Sequence, residues 1–177
     1  NDYWVTLTYK LETRPQDMKE AAKDFERWRD KVRRQYRKRG AELKWMLHTE
    51  IGSRGGVHHH LVINRIQDAD LIMRKAWEKG GVHIDLLYDE GGFRKLAEYL
   101  SKTPDEENKM KESRYSCSKN LKIPVAEEKV YKRKTWSDEP KPPKGYYLDK
   151  ETYHEGINPV TGYKYRRYIL IRLNRRI

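Results

Sequence analysis

The 177-residue sequence predicts an α+β fold, an antiparallel central sheet with helices packed on one face, followed by a basic C-terminal extension. Three observations predict it. Runs rich in β-branched and aromatic residues recur at 3–9, 43–51, 57–63 and 82–86. Between them lie stretches with three- and four-residue apolar spacing. Two of the strand runs are separated only by Gly52-Ser53-Arg54-Gly55-Gly56, too short for anything but a hairpin.

Taken in order, Tyr-Trp-Val-Thr-Leu-Thr-Tyr at 3–9 has the composition of a central strand. From Gln16, the residues Met18, Ala21, Ala22, Phe25, Trp28, Val32 and Tyr36 mark one stripe of a helix of about six turns that stops at Gly40. Residues 43–51 and 57–63 form the hairpin. Asp68 is placed to cap a second helix over 69–78, with Leu71, Ile72 and Ala76 inward, ended by Gly80-Gly81. Val82, Ile84 and Leu86 alternate with polar residues as a fourth strand. A third helix carries Phe93, Leu96, Ala97 and Leu100 on one stripe and stops before Pro104. Beyond a charged linker at 104–112, residues 114–121 read as a strand or an extended arm, 132–144 as loop and 163–173 as a late strand. This order predicts a ferredoxin-like or RNA-recognition-like sandwich. The chain is expected to be one domain over 1–177, a catalytic core at 1–103 and a basic extension at 104–177.

Composition narrows the function. The chain carries 39 Lys and Arg against 27 Asp and Glu, a formal charge of +12, and 18 against 11 of these fall between Thr103 and Ile177. A surplus of this size fits a polyanionic partner, nucleic acid first, and equally the solvated surface of a basic protein. Five Trp, thirteen Tyr and two Phe are too many for a disordered polyelectrolyte. No run is long and apolar enough to span a membrane, and the single Cys117 excludes an intrachain disulfide framework and fits a reducing cytoplasm.

The most informative stretch is Val57-His58-His59-His60-Leu61-Val62-Ile63. Alternation puts His58 and His60 on one face, and His59 on the other with Val57, Leu61 and Ile63. The preceding strand places Met46, His48 and Glu50 on a common face, and the short hairpin returns Glu50 close to His58 or His60. Two imidazoles and a carboxylate form an open ligand set, which by ligand type alone admits Mg, Mn, Zn or Fe(II); phosphate chemistry favours Mg or Mn. A His-x-His pair alone is a weak signal, since strand histidines are often purely structural.

The third helix offers a nucleophile. Tyr99 stands at the border of the apolar stripe with Lys95 and Lys102 at i−4 and i+3, which biases a phenol toward phenolate beside an anionic phosphate. A tyrosine there is usually a packing residue; its weight comes from the metal ligands beside it in the sequence pattern. Metal, tyrosine and lysine together describe nicking and joining of DNA.

These residues resemble an HUH endonuclease, specifically a single-tyrosine rolling-circle replication initiator (Rep) of plasmid or phage type. Three motifs match in order: Val5-Thr6-Leu7-Thr8-Tyr9, His58-His59-His60 with Glu50 eight residues upstream, and Tyr99-x-x-Lys102. The resemblance implies Mn2+ or Mg2+ held by Glu50, His58 and His60, and Tyr99 as the nucleophile on single-stranded origin DNA. Lys102 would neutralise phosphate charge or lower the phenol pKa. It also implies a bacterial cytoplasm, an origin with or without a hairpin, and a helicase supplied separately, because no Gly-Lys-Ser/Thr phosphate loop is present. The tyrosine follows the histidines, as in a Rep rather than a relaxase. One departure stands out: the middle residue, normally bulky and apolar, is His59.

Arg54, Lys95, Arg114, Tyr115, Lys119 and Trp136 are candidates for gripping DNA by charge and stacking. The rival readings are an HUH-type single-strand transposase, a non-catalytic RNA-recognition-like binding module, and a metal-dependent oxygenase using two His and one carboxylate.

Overall fold

The computed structural model describes residues 2–87, 96–97, 110–128, 137 and 139–173. The chain divides into two units, Asn1–Pro124 and Val125–Ile177. In the first, the order is β1 (Tyr3–Thr8), a 3-10 turn (Leu11–Thr13), α1 (Met18–Lys38), β2 (Trp45–Gly52), β3 (Val57–Ile63), α2 (Ala69–Ala76), β4 (Val82–Leu86) and β5 (Met110–Cys117). The five strands form one sheet in the order β4-β1-β3-β2-β5, every neighbouring pair antiparallel. The predicted α+β class is therefore the observed one. Residues 114–121, expected as strand or arm, resolve into the edge strand β5 and the turn after it.

Alternation sorts the sheet residues. Val5, Leu7, Trp45, Leu47, Leu61 and Ile63 turn to the helices and are buried with Phe25, Trp28, Val32 and Tyr36 of α1 and Ile72 and Met73 of α2. Each fully buried aliphatic or aromatic side chain contributes about 1.5–3 kcal/mol by leaving water. The polar tips of the large aromatics are satisfied inside: Trp28 Nε1 donates to the Met73 carbonyl at 3.1 Å and the Tyr36 hydroxyl to the Asn64 carbonyl at 2.7 Å.

The helix starts differ. Asp17 caps α1 by accepting from the Glu20 amide at 2.8 Å, and the Glu20 carboxylate returns to the Gln16 amide at 2.9 Å. Asp68 precedes α2, as the sequence predicts, but its side chain makes no capping bond and its backbone is left-handed, φ 57°. An Asp tolerates that conformation better than most residues. α2 also presents Leu71 outward, 62% exposed, and Met73 inward, so the expected stripe is turned by part of a step. Of the third helix expected over 93–100, only Leu96 and Ala97 are described, both helical.

The 79–81 segment closes one end of β1. The Thr8 amide donates to the Gly81 carbonyl at 3.0 Å, the Lys10 amide to that of Lys79 at 2.8 Å, and Trp77 Nε1 to the Thr8 carbonyl at 2.8 Å. A Cβ on Gly80 would collide with that same Thr8 carbonyl, so the close approach requires glycine.

The second unit holds β6 (Tyr146–Ile157) and β7 (Lys164–Arg172), an antiparallel ribbon. The late strand expected from the sequence is β7; its partner β6 is an addition to the predicted elements. The pairing shifts between Asp149 and His154, where the Thr152 hydroxyl donates to the Asp149 carbonyl at 2.7 Å and accepts from the Ile169 amide at 2.8 Å. Among the described residues no helix is long and apolar enough to cross a membrane.

Candidate metal centre

The face of the sheet away from α1 and α2 carries Trp4 and Thr6 of β1, His58 and His60 of β3, His48 and Glu50 of β2, and Tyr115 of β5 by strand alternation. The β2–β3 hairpin sets the geometry. Glu50 lies directly opposite His58 and His48 directly opposite His60. One oxygen, Glu50 Oε1, is 3.3 Å from His58 Nδ1 and 3.3 Å from His60 Nε2. The three ligand atoms all lie within 4.8 Å of one another, and among the described residues theirs is the one such grouping of His, Cys, Asp and Glu. The rings of His58 and His60 stand at 87°, converging on the carboxylate from two directions.

Each ligand is held by neighbours. Thr6 Oγ1 lies 3.2 Å from His60 Nδ1, and the Trp4 ring is stacked on His60 at 5.7 Å and 14°. With Nδ1 turned to Thr6, His60 has Nε2 available on the Glu50 side, the arrangement a metal-binding imidazole needs. Imidazole N–H groups directed at the Glu50 oxygen hold its carboxyl well below the usual carboxylate range. The group therefore offers an ionised carboxylate and two imidazoles, a donor set suited to a divalent cation, with open positions for solvent or a phosphate oxygen. His58 is 44% exposed, so the set is reached from solvent on that side.

His59 faces the other way and is fully buried. Its Nε2 is 2.8 Å from the Tyr9 hydroxyl and its Nδ1 2.8 Å from Thr49 Oγ1. The Tyr9 hydroxyl also engages Asp24, a buried carboxylate that Lys79 neutralises at 3.0 Å. Asp24 only accepts, so Tyr9 donates to it and accepts from His59 Nε2–H; Nδ1 is then left to accept from Thr49. One proton arrangement satisfies the whole chain. Burial pushes the His59 pKa down to about 3, so the ring is neutral, while burial and Asp24 push the Tyr9 phenol far up. The departure from an apolar middle residue is thus accommodated by three polar partners inside the core.

The other predicted residues spread out. Arg54 is exposed in the β2–β3 turn, at the Glu50 end of the hairpin. Tyr115 is opposite His48 and 48% exposed, on the ligand face. Arg114 pairs with Thr49 and so belongs to the helix-side face, and Lys119 lies in the turn after β5, at the Trp45 end of β2. Tyr99, Lys102, Lys95 and Trp136 lie outside the described residues. Sequence reasoning does not single out Thr6, Trp4 or Tyr9; the period-two signal that puts Thr6 and Trp4 on the His60 face becomes usable once β1 and β3 are known to pair. For His48 it gives the correct face without a role. The His48 ring is buried, 2% exposed, and neither nitrogen has a hydrogen-bond partner, which costs about 1–3 kcal/mol.

An antiparallel sheet with helices on one face and a carboxylate and two imidazoles converging on the other defines an α+β protein with a preformed cation-ligand set. The particular family follows from the sequence: residues 2–104 match the replication-associated protein family of the ORF2 type, and the chain belongs to it. No curated protein and no solved structure matches the chain.

Proposed function

We propose that this replication-associated protein is a single-stranded DNA endonuclease and strand-transferase of the HUH type that opens a replication origin. The observation that supports it is the convergence of Glu50, His58 and His60 on the helix-free face, within the segment that matches the family. Glu50, His58 and His60 would hold Mn2+ or Mg2+, which supplies charge neutralisation at a phosphodiester. The Tyr99 hydroxyl, giving up its proton, attacks the scissile phosphorus. A tyrosyl O–P bond forms as the P–O3′ bond breaks, and the departing 3′ oxygen takes a proton. The products are a 5′-phosphotyrosyl protein and a free 3′-OH from which replication extends; attack by a 3′-OH on the same linkage rejoins the strand. Lys102, one helical turn on, offsets the phosphate charge or lowers the phenol pKa. Arg54 and Tyr115 flank the ligand set and are assigned to holding the strand, Tyr115 by stacking.

The test is a labelled single-stranded origin oligonucleotide incubated with the protein and Mn2+. A denaturant-resistant protein–DNA adduct is expected, absent with a chelator and absent in Tyr99→Phe. An adduct that persists in Tyr99→Phe assigns the nucleophile elsewhere; no adduct, with the DNA bound intact, makes the protein a binding module.

A further inference from the structure

His48 is the one residue whose buried side-chain nitrogens are without a partner among the described residues. The contrast with His59 is direct: both rings are buried on the central strands, yet both nitrogens of His59 are bonded and neither of His48. An orphaned buried imidazole marks a group that serves something other than protein, an ordered water or an ion. Its place says which. His48 lies directly opposite His60 in the β2–β3 ladder, ring centroids 6.5 Å apart and nearly parallel at 26°, two residues before Glu50 on the same face. It is nevertheless outside the tight set formed by Glu50, His58 and His60, whose ligand atoms lie within 4.8 Å of one another. Tyr115, on its other side, makes no bond to it. A ring beside a ligand set but not in it is placed to hold the solvent of that set.

Resting on the ion-binding reading above, we propose that His48 is a positioning residue of the metal centre, holding a water bound to the ion through its otherwise unpartnered nitrogen. Packing alone does not account for it, because an apolar side chain of the same volume would fill the space without an unpaired polar group.

The test is Mn2+ affinity by isothermal titration of the full chain, with thermal unfolding of the metal-free protein as a second readout. It compares wild type, His48→Met and His48→Gln, two unbranched replacements of similar volume that differ in hydrogen-bonding capacity. His48→Met is expected to unfold at or above the wild-type temperature without metal, yet to bind Mn2+ at least about tenfold more weakly. His48→Gln is expected to bind within about threefold of wild type. Wild-type affinity in His48→Met overturns the proposal, as does a Gln variant as weak as Met. If His48→Met does not fold, His48→Leu takes its place with the same outcomes. Glu50→Ala separates the two layers. Loss of Mn2+ in Glu50→Ala but not in His48→Met removes only this inference, whereas Mn2+ binding unchanged in Glu50→Ala removes the ion-binding reading beneath it.

Discussion

His59 and His60 are adjacent in the chain and belong to opposite sides of one sheet, and the two sides use imidazole for opposite ends. On the helix side, His59 is enclosed by Tyr9, Thr49, Phe25 and Trp77, held neutral, and bonded at both nitrogens by protein. On the other side, His58 and His60 share one carboxylate oxygen at 3.3 Å. The same side chain is therefore structural or ligand-like according to one bit of information, the parity of its position. Burial does not separate the roles, since His60 and His59 are both buried; what separates them is whether the partners are neutral hydroxyls or an ionised carboxylate.

The sharpest way to break this comparison is to truncate each side. His58→Ala or His60→Ala is expected to lower Mn2+-dependent cleavage of single-stranded DNA by at least about a thousandfold, because a two-ligand set does not retain the ion. His59→Leu, which restores an apolar residue of similar size, is expected to cleave; loss of cleavage in a folded His59→Leu protein would reverse the assignment of the two faces. Next in size, His59→Ala is expected to cost about 3 kcal/mol in urea unfolding, combining a core cavity with the unpaired Tyr9 and Thr49 hydroxyls.

Acidity distinguishes the faces too. The His59 pKa is about 3 in the folded chain against an ordinary 6.5, so the unfolded chain binds the extra proton between those values. Stability is full above about pH 6.5 and falls as the pH drops toward 3, by about 2–3 kcal/mol at pH 4. The His59→Leu protein should lose less over this range, and equal acid sensitivity in the two would remove His59 as the cause. The smallest effect belongs to the edge of the network. Tyr9→Phe deletes one hydroxyl and leaves His59 Nε2–H unpaired, an expected loss of about 1–2 kcal/mol with Mn2+ affinity unchanged, checked by unfolding and titration in parallel.

Much of this is legible in the sequence, and the reason is local. The ligand set depends on two neighbouring strands joined by a five-residue turn, so alternation and a short hairpin suffice to bring Glu50 to His58 and His60 and to send His59 inward. What escapes a sequence reading is long-range or set by pairing. Tyr9 meets His59 and Asp24 only after β1 has docked against β3 and α1, contacts that no period in the sequence encodes. The strand β6, Tyr-Tyr-Leu-Asp-Lys-Glu-Thr-Tyr-His-Glu-Gly-Ile, has charged residues where a half-buried strand would alternate; it is a strand because β7 pairs with it. Asp68 has the type and place of a cap, but its left-handed backbone turns the side chain away from that duty. The burial of His48 is invisible in the sequence because it depends on what surrounds the sheet face rather than on parity.

The Tyr9–His59–Thr49 chain has a consequence for assembly. Three consecutive histidines leave β3 with an ambiguity that an apolar middle residue would not, since a slip of one position would trade His59 for its neighbours and turn the ligands inward. Thr49 stands directly opposite His59, and Leu7 opposite it on the other strand, with Tyr9 just beyond. Only one alignment gives the inward imidazole both its hydroxyls. The polar core thus works as a registration pin: it penalises the misaligned sheet and so guarantees which two of three identical side chains reach the surface that matters.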